Sequence, residues 1–200
     1  MSTARRVVVA TANAGKLREF QDLLGADWAL VAQGELGIQS VEETGETFLD
    51  NALLKARHAS AVSGLPAIAD DSGLEVDALG GAPGIYSARY AGADGDDEAN
   101  NEKLLTALEG VSPDRRTARY RCVIALVRSA DDAEPLVADG SWEGRIAGAR
   151  RGSGGFGYDP LFLDPETGLH AAELSSAEKH ARSHRGKAIR ALRSQLSGLP

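Results

Sequence analysis

The sequence predicts an α/β fold with a mixed sheet. Three observations carry that prediction. The chain opens as strand, turn and helix. Strand-like and helix-like segments then intermix along its length. Residues 136–146 read as a hairpin, which a purely parallel sheet does not contain.

Val7-Val8-Val9-Ala10-Thr11 is a short apolar, β-branched run, the pattern of a buried strand. Asn13-Ala14-Gly15 signals a turn. Leu17, Phe20 and Leu24 then recur at i, i+3 and i+7 and predict a helix closed by Gly25. A second helix is predicted from Thr47. Thr47 and Asp50 form a Thr-x-x-Asp capping pattern, Phe48, Ala52, Ala56 and Ala59 share a face, and Gly64 and Pro66 end the element. Ala67-Ile68-Ala69 predicts a short strand running into Asp70-Asp71-Ser72-Gly73. Leu74, Val76 and Ala78 alternate with Glu75 and Asp77 as a half-exposed strand, and residues 80–84 form a loop. Residues 98–108 read as helix with Leu104, Leu105 and Leu108 inward, and residues 119–127 give the strongest strand signal. Residues 136–138 and 142–146 are weaker strands, and residues 150–159 a basic, Gly-rich loop. Ser175 and Glu178 form a capping box for a last helix, with Ala181, Ala188, Leu192 and Leu196 on one face.

Two hundred residues suit one domain, or a single fold of two lobes spanning residues 1–200. The formal charge of −7, from 29 acidic and 22 basic residues, argues against non-specific nucleic-acid binding, which needs a basic surface. No apolar run approaches the ~20 residues of a membrane span, and the four apolar residues after Arg6 are too few for a signal-peptide core, so a cytoplasmic protein is expected. The single cysteine, Cys122, excludes an intramolecular disulfide framework and sits in an apolar strand as a buried, inert thiol.

Four segments carry chemistry. Thr11-Ala12-Asn13-Ala14-Gly15-Lys16 joins a strand to a helix N-terminus. There, free backbone N–H groups, the positive dipole end and the Lys16 charge suit a phosphate; the alternative is an ordinary strand–helix turn. It is not a Walker A loop, because the first Gly position is Ala10 and Leu17 follows the Lys. Asp70 and Asp71, with Glu42, Glu43 and Glu46 upstream, are oxygen ligands of the kind Mg²⁺ takes, unless they form an Asp-rich turn. In residues 152–160, glycines allow close approach to a ligand, and Phe156 and Tyr158 offer faces for a planar base; the alternative is a surface loop anchored by two aromatics. Lys179, His184 and Arg185 on the last helix are donors for phosphate or base, or else part of a solvated basic face. His180 and His184 have zinc-ligand spacing, but Ala181 stands where the metalloprotease motif has Glu.

Together the segments resemble the inosine/xanthosine triphosphate pyrophosphatase family over nearly the whole chain. The carriers are Thr11-x-Asn13-x-x-Lys16, Glu42-Glu43-Thr44-Gly45 with Asn51-Ala52-x-x-Lys55-Ala56, Ala69-Asp70-Asp71-Ser72-Gly73-Leu74, residues 79–89, Gly155-Phe156-Gly157-Tyr158-Asp159-Pro160, and Ser183-His184-Arg185. The resemblance implies an elongated α/β fold of two lobes around a long mixed sheet with flanking helices, and a nucleotide cleft between the lobes. It also implies a homodimer, at least one Mg²⁺ per subunit, and hydrolysis of non-standard purine nucleoside triphosphates to monophosphate and pyrophosphate. By the same resemblance Thr11, Ala12, Asn13, Ala14, Gly15 and Lys16 hold the triphosphate. Asp71 with Glu42 or Glu43 serves the metal, Asp71 is the general base and Ser72 touches substrate. Phe156, Gly157, Tyr158, Asp159, Lys179, His184 and Arg185 surround base and sugar, and Asp70 and Lys55 stand behind these groups. Arg185 is expected to read the 6-oxo group that hypoxanthine has and adenine lacks. The rivals are a related pyrophosphatase for pyrimidine or modified nucleotides and a non-catalytic nucleotide sensor.

Overall fold

The computed structural model describes residues 5–24, 28–92 and 95–197. Six strands form one sheet in the order β2-β1-β3-β4-β5-β6: β1 (Arg5–Val9), β2 (Trp28–Ala32), β3 (Ala67–Val76), β4 (Thr117–Val127), β5 (Leu136–Ile146) and β6 (Phe162–Leu163). β1 runs parallel to β2 and β3, whereas β5 and β6 are antiparallel, so the sheet is mixed as expected. The helices are α1 (Ala14–Leu24), α2 (Phe48–Ser63), α3 (Asp97–Ala107), α4 (Ser176–Arg182) and α5 (His184–Ser197). The Gly25 stop signal lies outside the described residues.

The chain divides into two compact units. The first holds residues 1–71, 122–140 and 185–200; the second holds 72–121 and 141–184. In the first, strand alternation sorts side chains onto two faces. Val7, Val9, Ile68, Ile124 and Leu126 pack with Phe20 and Leu24 of α1 and Ala188, Ile189 and Leu192 of α5. Val8, Ala10, Ala67, Ala69 and Val127 pack with Ala56 and Ala59 of α2. Burying a side chain such as Phe20 or Leu192 contributes ~1.5–3 kcal/mol, and the small alanines let α2 lie close to the sheet. The second unit has an aromatic core, in which Tyr120, Trp142, Tyr158 and Phe162 pack with Leu74, Leu104 and Leu108.

The α2 signals hold in detail. Thr47 Oγ1 accepts from the Asp50 N–H, and Gly64 closes the helix in a left-handed conformation. Three expectations are corrected, and one strand stands where none is predicted. β3 is one strand through Asp70-Asp71-Ser72-Gly73, and Ala78 lies beyond it in a 3₁₀ turn. β5 is likewise one strand through Asp139-Gly140-Ser141, not a hairpin. β2 formed without being predicted, although Trp28-Ala29-Leu30-Val31-Ala32 is a legible apolar run. The last helix is two. Ser175 and Glu178 cap α4, extended backbone at Ser183 ends it, and α5 follows, leaving Ala181 exposed.

Candidate active site

The turn between β1 and α1 is exposed at Ala12, Asn13 and Ala14 and is organised by its own side chains. Thr11 Oγ1 accepts from the Asn13 N–H at 3.1 Å. Asn13 Oδ1 accepts from the N–H groups of Gly15 at 2.8 Å and Lys16 at 3.0 Å. Asn13 is therefore the N-cap of α1, and two of the N–H groups expected to be free for phosphate are already engaged. An anion using them must displace an amide oxygen. The helix dipole and the Lys16 ammonium remain to attract it.

β3 separates the two adjacent carboxylates. Successive residues of a strand point to opposite faces, so Asp70 shares the face of Ile68, against α1 and α5, while Asp71 shares that of Ala69, against α2. Each has a cation at bonding distance there, Lys16 and Arg185 for Asp70 and Lys55 for Asp71, which offsets the mutual repulsion expected from their adjacency. Asp70 is 2% exposed. Its Oδ2 lies 3.1 Å from Lys16 Nζ, 3.0 Å from Arg185 Nη2 and 3.3 Å from Arg185 Nε, and Arg185 Nη1 bonds the buried Glu19 of α1. Asp70 Oδ1 is buried and has no hydrogen-bond partner among the described residues. Burial alone would raise the Asp70 pKa, but the charges of Lys16, Arg185 and Lys55 outweigh it and hold the carboxyl far below the usual range.

A depressed carboxylate stabilises the fold fully above its unfolded pKa of ~3.9, and that stabilisation is lost as pH falls through the lower folded value. Acid titration of Tm is thus expected to fall more steeply below pH ~4 in the parent than in Asp70→Asn. Equal slopes would mean that Asp70 is not ion-paired in solution. Cys122, 3.9 Å from Asp70 Oδ2, is buried as expected, and burial and that negative charge push its thiol pKa up, against the reactive thiolate.

On the other face, Asn51 and Lys55 stand four residues apart on α2 and both reach Asp71. Asn51 Nδ2 donates to Oδ2 at 3.1 Å and Lys55 Nζ to Oδ1 at 3.2 Å. The same ammonium donates to Glu43 Oε1 at 2.5 Å, whereas Glu42 is exposed. Of the two candidate acids, Glu43 is the one gathered with Asp71. Gly45 makes this possible. A Cβ there would stand 2.6 Å from Asp50 Cβ and 2.7 Å from Asn51 Oδ1, so only glycine lets the 42–45 segment descend onto α2, where its N–H bonds Asn51 Oδ1 at 2.8 Å. Burial raises the Asp71 pKa above the ordinary value; Glu43 adds to the rise, and Lys55, Lys16 and Asn51 oppose it. Asp71 is therefore a stronger base than a free carboxylate.

These donors fit Mg²⁺ in kind. Glu43 and Asp71 already converge on one cation, the Lys55 ammonium, and they offer only oxygens. Among the described residues, no group of three or more His, Cys, Asp or Glu is arranged to hold a metal ion. Mg²⁺ commonly takes one or two carboxylates and completes its shell with phosphate oxygens and water, so two suffice.

A second cluster lies within the second unit. Asp159 accepts from the Phe156 N–H at 2.9 Å, the Tyr120 hydroxyl at 3.3 Å and Lys179 Nζ at 2.5 Å. Lys179 Nζ also sits 4.9 Å from the centre of the half-exposed Phe156 ring. Tyr158 is buried, with its hydroxyl donating to the Ser87 carbonyl at 2.8 Å, so it is a core residue and not a face for a base. His184 is buried too, stacked on Tyr120 at 4.7 Å. The largest departure is Arg185, 1% exposed, with its fork bound to Asp70 and Glu19 instead of presented to a base edge. Sequence alone gives Asn51 and Glu19 no role. The Asn51/Lys55 spacing, and an acid beside Phe20 on the buried stripe of α1, were their signals.

Comparison with known proteins gives the lineage. The model of the Ham1 family matches residues 7–195. The chain belongs to the Ham1 family. It is 59% identical over 194 residues to the dITP/XTP pyrophosphatase of Thioalkalivibrio sulfidiphilus (strain HL-EbGR7), covering 96% of this chain and 99% of that one. It is 58% identical over 196 residues to the dITP/XTP pyrophosphatase of Methylococcus capsulatus, covering 98% of each. A HAM1 protein from Coxiella burnetii superposes with a TM-score of 0.90 at 46% identity over 98% of this chain and 100% of that one. The nucleoside-triphosphatase / dITP/XTP pyrophosphatase from Mycobacterium abscessus gives 0.75 at 43% identity, covering 94% of this chain and 98% of that one. The α/β architecture with its six-stranded mixed sheet is that of these Ham1 structures.

Proposed function

We propose that this chain is a nucleoside triphosphate pyrophosphatase that hydrolyses deoxyinosine, inosine and xanthosine triphosphates to the monophosphate and pyrophosphate, clearing these bases from the nucleotide pool of the cytoplasm. The observation that carries the reading is Asp71, fixed by Asn51 and Lys55 with Glu43 on the same ammonium.

The residues divide the work. Lys16, with the dipole of α1, offsets the triphosphate charge, and Thr11 to Gly15 shape the turn that receives it. Glu43 and Asp71 hold Mg²⁺, which when bound screens the phosphates and makes a coordinated water more acidic. Asp71 accepts the proton of the attacking water. Its two donors, Asn51 and Lys55, keep the carboxylate plane fixed for that transfer. Ser72, next along β3, contacts the substrate. Phe156 offers a stacking face, and Lys179, braced by Asp159, donates to an acceptor at position 6 of the base. Adenine carries an amino donor there, and two donors facing one another reject it. The homodimer rests on the family resemblance alone, with light scattering as its check. Among the described residues, no helix is long and apolar enough to cross a membrane.

Pyrophosphate release tests the reading. It is expected from inosine and xanthosine triphosphates with Mg²⁺, and neither without Mg²⁺ nor, at comparable rate, from adenosine triphosphate. Release from all purine triphosphates alike would overturn the base assignment. Lys16→Ala is expected to raise KM and lower kcat together, because the charge acts in both ground and transition states. Unchanged constants would leave Lys16 only its bond to Asp70.

A further inference from the structure

The Gly-rich segment before Asp159 is tied down by a helix to which the reaction above gives no task. Asp97 and Asn101 stand four residues apart on one face of α3. Asp97 Oδ2 accepts from the Gly157 N–H at 2.6 Å, and Asn101 Nδ2 donates to the Gly157 carbonyl at 2.8 Å. Both polar groups of one glycine are thus held by one helix. Gly157 has φ +64°, a left-handed conformation that costs other residues energy. The clamp is itself tied into the fold. Asn101 is buried, and its Nδ2 also bonds the Asp97 carbonyl at 2.6 Å. Leu104 and Leu108 anchor the helix in the aromatic core, and Asp96 caps its start by accepting from the Ala99 N–H at 2.9 Å.

Gly157 follows Phe156 directly and stands two residues before Asp159, the carboxylate on Lys179. We infer that Asp97 and Asn101 are positioning residues that hold Gly157 at both ends and thereby set the angle at which Phe156 and the Lys179–Asp159 pair meet a purine base. This rests on the reading of Phe156 and Lys179 as base contacts. Residues 152–157 include four glycines, each with more backbone freedom to lose than any other residue. Left untethered, the segment samples conformations that cannot stack on a base, and apparent affinity falls with the competent fraction. The consequence falls on KM, because the clamp acts before and during chemistry alike.

Steady-state kinetics with inosine and adenosine triphosphates, alongside thermal melting, test this on Asp97→Ala, Asp97→Asn and Phe156→Ala. Asp97 is exposed, so its replacement leaves the core packing in place. Asp97→Ala is expected to raise KM for inosine triphosphate about three- to tenfold, the scale of one lost hydrogen bond, with kcat nearly unchanged. Asp97→Asn keeps an acceptor oxygen and restores most of the affinity. A lower Tm and lower kcat at unchanged KM would reveal a merely structural tie and overturn the inference. If Phe156→Ala raises KM and Asp97→Ala does not, the clamp alone is wrong. If neither raises KM, the base-contact reading fails and the clamp with it.

Discussion

Asp71→Asn lowers kcat for inosine triphosphate by at least about a hundredfold, ~2.7 kcal/mol of barrier, while the protein still folds. The amide occupies the same volume on β3 and leaves most of the surrounding bonds in place. Its oxygen can accept from Asn51 Nδ2 or from Lys55 Nζ, though not from both in the carboxylate's manner, and Lys55 retains Glu43. One strained polar contact costs ~1–3 kcal/mol of stability, which melting will register without loss of the fold. Catalysis loses more, because an amide neither accepts a proton at neutral pH nor matches a carboxylate as a Mg²⁺ ligand. Quench-flow or steady-state measurement at saturating substrate reads the change directly. Retention of more than about a tenth of kcat, a barrier change below ~1.4 kcal/mol, would move the base to another group.

What the sequence made legible was local. The Thr47/Asp50 cap, the alanine face of α2 and the Ser175/Glu178 box each lie within a turn or two of helix and emerged where expected. β3 was hidden because Asp, Ser and Gly have poor strand propensity, and only distant cations make Asp70 and Asp71 tolerable in mid-strand. β5 was hidden for the same compositional reason at Asp139-Gly140-Ser141. The Asp71 constellation was half legible. The motif named Glu42, Glu43, Lys55 and Asp71, but choosing Glu43 over Glu42 required the descent permitted by Gly45. The burial of Arg185 was not legible at all, since its partners Asp70 and Glu19 lie 115 and 166 residues away along the chain.

Arg185→Ala is expected to destabilise the protein by ~3–5 kcal/mol, because it removes a side chain that pairs with two buried carboxylates at once. Asp70 keeps Lys16, but Glu19, 8% exposed, loses its Arg185 partner. In a domain of this size ~1 kcal/mol moves Tm by ~2–4 °C, so the loss is plain in thermal melting. Arg185→Lys keeps a charge without the fork and should fall between parent and Ala. The same variants decide whether Arg185 also reads the base. A charged donor to a 6-oxo group returns ~1.5–3 kcal/mol, less than breaking the buried pair costs, so the guanidinium is expected to stay with its carboxylates. Assayed well below their Tm, the variants should lose activity equally toward inosine and adenosine triphosphates, because the disturbance reaches catalysis through Asp70 and its neighbour Lys16. A selective fall of about tenfold or more in the inosine-to-adenosine ratio of kcat/KM would show the opposite, that Arg185 leaves Asp70 and Glu19 to meet the base when substrate binds.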